Sequence, residues 1–247
     1  MKTIFITGAG ISAELGLETY SDKNSENKPE KHLSTLNTLE DIWNYLSPLY
    51  EQIDSIKLPE YHGSHYEIVD FCKFGNVTVL TQNIDGFHLK KKHDYIFEKN
   101  PEYIYNVIEL HGTHSFIKCN YCVKYYEWKG SIKCIKCGIT CRPDIVLYGE
   151  AVRLLDEAKS RCKNVDLCVI IGTSFKFGYL RDFAVRVKQR GGYVININLS
   201  KSLDIADTNL KLSSLEGLLL IKDIIDKYMP MSRKDWKNCF MDMQIYS

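Results

Sequence analysis

Two Cys-x-x-Cys pairs, Cys119/Cys122 and Cys134/Cys137, are separated by a short segment. Four thiolates grouped this way suit one tetrahedral Zn2+ ion. Asn120, Tyr121, Lys133 and Lys136 make the segment polar, so four unrelated core cysteines is the poorer explanation. The gap is shorter than in the usual zinc ribbon but long enough for a hairpin. Four protein ligands leave no open coordination position, so the expected zinc is structural. Of the remaining cysteines, Cys72, Cys162 and Cys168 lie among apolar residues and read as core, and Cys141 reads as core or as a spare ligand.

A second constellation opens the chain. Gly8-Ala9-Gly10-Ile11-Ser12-Ala13 fits G-x-G-x-x-A directly after the β-branched run Lys2–Thr7. Strand, glycine turn and helix together are the context of a dinucleotide site. Gly8 would permit the turn, Gly10 would let backbone approach a pyrophosphate, and a helix N-terminus would supply N–H groups. An ordinary strand-to-helix turn would use the same glycines. The acidic residue expected roughly 20 positions on in a dehydrogenase is absent.

Three further polar groups follow apolar runs: Thr81-Gln82-Asn83-Ile84-Asp85, His111-Gly112 and Gly172-Thr173-Ser174. Ligands of open α/β sheets bind at the carboxyl ends of strands. An Asn/Asp helix cap, a structural histidine and a plain turn are the alternatives. The other histidines (32, 62, 65, 88, 93 and 114) read as structural, and Lys90–Lys92 as a solvated helix face.

These groups need a scaffold. Strands are expected at Lys2–Thr7, Asn76–Thr81, Val107–Leu110, Val165–Gly172 and Gly192–Asn198, and near Ile145 after the cysteine module. Helices are expected at Ile11–Gly16, Thr38–Ile56 with Thr38 as N-cap, Ala151–Cys162, Gly178–Arg190 and Leu212–Tyr228. Strands alternating with helices imply an α/β fold with a Rossmann-like parallel sheet. The polar stretch from Glu18 to Asn37 reads as a long loop. The expected division gives 1–37, 70–112 and 142–247 to the Rossmann-like domain. A small domain takes the helical insertion 38–69 and the zinc-binding module 113–141.

Bulk properties narrow the classes. The 247 residues suit one large domain with an insertion, and the net charge of +1 supplies no general attraction for nucleic acid. No apolar run approaches bilayer length, and the N-terminal apolar stretch is too short for a signal peptide. A cytoplasmic protein that binds neither membrane nor nucleic acid is expected.

Taken in order, the motifs resemble the sirtuin family. They are Gly8–Ser12 (GAGIS), Thr81–Asp85 (TQNID), His111-Gly112, the two cysteine pairs, Arg142–Glu150 (RPDIVLYGE), Gly172–Ser174 (GTS) and Ile195–Asn198 (ININ). The resemblance implies a Rossmann-like domain and a small zinc-and-helix domain, with NAD and an acyl-lysine protein or peptide meeting between them. It implies that Gly8, Ala9, Gly10, Glu14 and Tyr20 hold NAD. Gln82, Asn83 and Asp85 match the pocket for nicotinamide and its ribose, and Gly172, Thr173, Ser174 and Asn198 the adenosine half. Val146, Tyr148, Gly149 and Glu150 match the segment that takes the peptide as an added strand. His111 matches the catalytic base, assisted by Asn83 and Asp85. The implied reaction transfers the acyl group to ADP-ribose and releases nicotinamide and free lysine.

Two segments depart from the family pattern. Glu18 and Ser21 replace a proline and an arginine, and Phe175–Tyr179 replaces a valine-and-proline pattern. No tyrosine and arginine for an acidic acyl group are evident after Tyr20, which favours acetyl or other neutral acyl groups. NAD glycohydrolase or ADP-ribosyltransferase activity in the same pocket, or an NAD-binding module with weak catalysis, are the competing readings.

Overall fold

The computed structural model describes residues 1–17, 38–59, 61–96, 104–147, 149–228 and 238–239. Nine strands are found among them: β1 (Lys2–Thr7), β2 (Asn76–Thr81), β3 (Tyr105–Glu109), β4 (Gly112–Cys119), β5 (Lys124–Glu127), β6 (Arg142–Ile145), β7 (Leu167–Ile171), β8 (Tyr193–Ile197) and β9 (Thr208–Leu210). Six form one parallel sheet in the order β3-β2-β1-β7-β8-β9. This is the Rossmann order, which reverses direction between β1 and β7.

The helices are α1 (Leu39–Ser55), α2 (Ser64–Asp70), α3 (Phe87–Ile96), α4 (Leu155–Arg161), α5 (Gly178–Gln189) and α6 (Ser214–Tyr228). Successive strand residues alternate faces. Phe5, Val79, Val169 and Ile195 therefore pack with Ile68 of α2 and with Leu218 and Ile221 of α6. Ile4, Ile6, Ile170 and Val194 pack on the other face with Ala158 of α4 and with Leu180 and Phe183 of α5. All of β7 and β8 is buried, as expected of apolar strands covered on both faces. Each such large side chain contributes about 1.5–3 kcal/mol on burial.

A second, antiparallel sheet has the order β5-β4-β6 and carries the cysteine module. Helix α1 docks on it. Its cap is Thr38, whose hydroxyl accepts the Asp41 N–H at 3.1 Å. Trp43 stacks on Trp128 with centroids 5.2 Å apart, and its indole N–H donates to the Cys141 carbonyl at 2.7 Å. Asp54 accepts the Trp128 indole N–H at 3.0 Å and faces His114 Nε2 at 3.1 Å.

The structure corrects several expectations. In place of a helix over Ile11–Gly16 are two single 3-10 turns, Ala9–Ile11 and Ala13–Leu15. Gly16, left-handed at φ 86°, ends them. The strand near Ile145 exists as β6, but it pairs with β4 and so belongs to the antiparallel sheet. Ile68 and Val69 lie in the core of the parallel sheet rather than with the insertion 38–69. Lys91 is buried, not solvated as the helix-face reading had it. Around the hairpin, Tyr121 and Tyr125 are exposed, while Trp128 packs on α1. Tyr20, Tyr148 and the loop from Glu18 to Asn37 lie outside the described residues.

Candidate active site

Strand register places the polar groups on one rim. Thr7 pairs with Thr81 and with Ile171, Thr81 with Glu109, and Ile171 with Ile197. The next residues are therefore Gly8, Gln82, Gly172 and Asn198, with His111 two beyond Glu109. All lie past the carboxyl ends of their strands, around the crevice where strand order reverses.

Close backbone contact assembles this crevice. The Gly10 N–H donates to the Gly172 carbonyl at 2.8 Å, and the Gly8 N–H to the Ile171 carbonyl at 3.1 Å. A Cβ on Gly10 would stand 2.6 Å from Gly172 Cα. Gly8 has extended φ/ψ, and a Cβ there would stand 2.8 Å from Thr173 Cβ. Both glycines thus permit β1 and β7 to meet. Gly8 is required for this packing and not, as expected, for its turn conformation.

Side chains then cross-link the three motifs. Ser12 Oγ donates to Asp85 Oδ2 at 2.7 Å, and Asn83 Nδ2 donates to the Gly8 carbonyl and to Ser12 Oγ, both at 3.2 Å. The other Asp85 oxygen accepts the Phe87 N–H at 3.0 Å, at the start of α3. Gln82 Nε2 donates to Thr173 Oγ1 at 2.8 Å, and Asn198 Nδ2 to the Thr173 carbonyl at 3.2 Å. Asn83 and Asp85 are buried. Ser12 was legible as a motif letter, but its role as the hub between Asn83 and Asp85 had no signal in sequence.

Glu14, expected among the NAD-binding residues, is engaged within the chain. Its carboxylate accepts the Ser64 N–H at 2.7 Å and the Ser64 hydroxyl at 2.8 Å, holding the start of α2. Behind the crevice, Thr7 Oγ1 lies 3.0 Å from His88 Nε2, and the His65 ring packs against His88.

His111 is mostly buried beside this cluster. Burial lowers its pKa from the ordinary 6.5, opposed by a hydrogen bond to the Gln82 backbone. Its Nε2 lies 2.7 Å from the Tyr179 hydroxyl. Gly112 follows at φ 77°, where a Cβ would collide with the Asp144 carbonyl at 2.2 Å. Asp144 pairs with Arg153 at 2.8 Å. Glu109 is pushed up to about 7 by burial and by the charges of Asp85 and Asp144.

The Val146–Glu150 segment begins at the His111 backbone, where the Val146 N–H donates to the His111 carbonyl at 2.8 Å. It then leaves regular structure, with Gly149 exposed at φ 86°. Both Glu150 oxygens accept from the Arg142 guanidinium at 2.9 Å, and one also accepts the Leu147 N–H. Glu150 thereby ties the segment to β6.

The four cysteine sulfurs of the module lie within 4.8 Å of one another. Cys119 and Cys137 are 3.6 Å apart, and Cys122 and Cys134 3.9 Å. A tetrahedral ion with Zn–S bonds of about 2.3 Å has S···S edges of ~3.8 Å. The donor set therefore fits zinc. Cys141 stays outside it, fully buried beneath the cluster. One residue of the module reaches the crevice: the His114 N–H donates to the Ile84 carbonyl at 2.8 Å, and His114 Nδ1 lies 3.1 Å from the same oxygen.

Residues 8–178 match the model of the Sir2 family. The chain belongs to that family. It is 30% identical over 215 residues, 81% of each chain, to the NAD-dependent protein deacetylase of Saccharolobus solfataricus. It is 28% identical over 217 residues, again 81% of each chain, to the NAD-dependent protein deacylase of Thermococcus sibiricus. Among solved structures, a Sir2 homologue mutant in complex with ADP ribose superposes with TM-score 0.77 at 25% identity, over 94% of each chain. A Sir2 homologue–NAD complex superposes with TM-score 0.74 at 26% identity, over 92% of this chain and 90% of that one. The Sir2 likeness includes the fold as well as the motifs.

Proposed function

We propose that this protein is an NAD-dependent protein-lysine deacylase acting on acetyl or other neutral acyl groups. The observation that carries the reading is the gathering of Gly8, Asn83, Asp85, Thr173 and Asn198 in one hydrogen-bonded crevice, with His111 at its edge. NAD supplies a ribose carbon activated by departure of nicotinamide. The turn at Gly8 and Gly10, held against Gly172 and Thr173, faces the pyrophosphate. Asn83 and Asp85, fixed by Ser12, shape the pocket for nicotinamide and ribose. His111 takes a proton from a ribose hydroxyl through Nε2. Its lowered pKa keeps the ring neutral near pH 7, the form a base needs.

Val146, Gly149 and Glu150 belong to the stretch suited to pairing with an extended peptide, and the Arg142–Glu150 pair holds it against β6. The zinc supports the fold and leaves no position for substrate. A cytoplasmic location suits this reading, because it keeps the four thiols reduced. Among the described residues no helix is long and apolar enough to cross a membrane. A natural division assigns the parallel sheet and its helices to cofactor binding, and α1 with the antiparallel sheet to the small domain.

Mass spectrometry of an acetyl-lysine peptide incubated with NAD and the zinc-loaded protein tests the proposal. Free lysine, nicotinamide and O-acetyl-ADP-ribose should form together, and His111→Ala should abolish all three. Nicotinamide release that is indifferent to peptide would overturn the deacylase reading in favour of a glycohydrolase.

A further inference from the structure

The atom assigned to take the proton is already engaged. His111 Nε2 lies 2.7 Å from the Tyr179 hydroxyl, while the ring also bonds the Gln82 backbone. A ring that takes a proton through Nε2 carries its hydrogen on the other nitrogen. In the neutral ring Nε2 then offers its lone pair, and Tyr179 is the donor. Burial raises the Tyr179 pKa, so its phenol keeps the hydrogen it donates.

This contact belongs to the segment that departs from the family pattern. Tyr179 stands in the first turn of α5, stacked on Phe177 with centroids 5.7 Å apart. Phe177 presents its edge to His111, also at 5.7 Å, and is 39% exposed. The connection from β7 has no regular structure, Phe175 is left-handed at φ 54°, and Gly178 has open space where a Cβ would be. A left-handed phenylalanine is an uncommon, strained conformation.

An imidazole lone pair accepts one good hydrogen bond. The Tyr179 hydroxyl and a ribose hydroxyl therefore cannot both occupy Nε2. We propose that Tyr179 is a placeholder: its hydroxyl fills the position of the ribose hydroxyl on His111 in the cofactor-free enzyme and is displaced when NAD enters. The inference rests on His111 being the base. It makes Tyr179 a positioning residue that weakens cofactor binding and leaves turnover alone, because the bond is broken before chemistry begins. It also predicts a signature in pH. A hydrogen bond donated to Nε2 favours the neutral ring of the free enzyme only. The other groups around the ring are unchanged by a substitution at Tyr179: the Gln82 backbone, Glu109 two residues before it, and Arg153 beside Gly112 with its partner Asp144.

The test is Tyr179→Phe in the zinc-loaded protein, which keeps the ring that packs on Phe177 and Phe183. The NAD Kd by calorimetry and the KM should fall about threefold to tenfold, as loss of one competing neutral hydrogen bond implies. The kcat for peptide deacylation should stay within about twofold of wild type on the same basis. The acid limb of kcat/KM should move to higher pH, while that of kcat stays in place. Histidine NMR on the cofactor-free protein gives an independent readout, with the His111 titration moving toward higher pH in the variant. A fall in kcat of tenfold or more at unchanged KM would overturn the proposal and make Tyr179 a participant in turnover. Unchanged NAD affinity and pH limbs would overturn it as well. Persistence of deacylation in His111→Ala would instead sink the base assignment, whatever Tyr179→Phe does.

Discussion

Ser12 Oγ donates to Asp85 Oδ2 at 2.7 Å, joining the turn after the first strand to the loop after the second. Asn83 Nδ2 also reaches this hydroxyl, at 3.2 Å, so one small side chain orients two residues of the pocket. Ser12→Ala should leave Asp85 with the Phe87 N–H and Asn83 with the Gly8 carbonyl. A hydrogen bond to a charged group is worth about 1.5–3 kcal/mol. Denaturant unfolding should register a loss of that order, and kcat/KM for NAD should drop at least ~10-fold. Wild-type kinetics in this variant would mean that the pocket does not depend on the hub.

The sulfur tetrahedron makes a prediction about metal. One zinc per chain should be found by elemental analysis, and a chelator should melt the module around β4–β6 while the parallel sheet persists. Zinc binding by small thiolate sites is worth about 10–16 kcal/mol in isolated fingers, well beyond the stability of a three-stranded sheet. Near-UV circular dichroism should follow the change through the stacked Trp43 and Trp128. Cys134→Ser should reproduce it, whereas Cys141→Ser should retain the metal. Loss of zinc in the Cys141 variant would refute the assignment of ligands.

Glu109 gives a pH dependence of stability. Its pKa is raised in the folded protein from 4.5 to about 7, so folding favours the protonated carboxyl. The associated stability is fully present below pH 4.5 and is lost as pH rises through about 7. Glu109→Gln should therefore raise the melting temperature at pH 8 and change little at pH 4.5. The gain at high pH should be on the order of 3 kcal/mol, at about 1.36 kcal/mol per pKa unit. Parallel stability-versus-pH curves for the two proteins would count against this buried carboxyl.

His111 supplies a second, catalytic pH dependence. As the proposed base it needs the neutral ring, and burial lowers its pKa from 6.5. Activity should therefore be on its plateau at pH 7 and decline only as the medium becomes more acidic than the ordinary histidine value. A pH–rate profile with a single acid limb centred below 6.5 is expected. A limb centred well above that value would point to another base.

Much of this was readable in the chain. Apolar, β-branched runs such as Leu167–Ile171 and Tyr193–Ile197 became buried parallel strands because burial on both faces demands such runs. Cys-x-x-Cys spacing identified the metal cluster because it reflects local chain geometry. Other features depend on distant partners. Val69 reads like any apolar helix residue, and only its packing beneath the parallel sheet assigns it to that core. The bond from Ser64 to the Glu14 carboxylate spans 50 positions and has no local signal in the chain. The glycine turn promised a helix, but the close approach of β1 to β7 and the pull of Asp85 on Ser12 leave two short turns. Tyr179 marked a departure in the pattern, while its contact with His111 across 68 positions required the fold.

His114 belongs to the strand that leads into the first metal-binding cysteine pair, yet it grips the Ile84 carbonyl between Asn83 and Asp85. Metal and reaction centre are thus mechanically coupled without sharing an atom. Stripping the ion should loosen the grip on the loop that carries Asn83 and Asp85, so the proposed pocket would lose its shape along with the module. Occupancy of the four-cysteine cluster would then set the posture of a loop that none of its ligands touches.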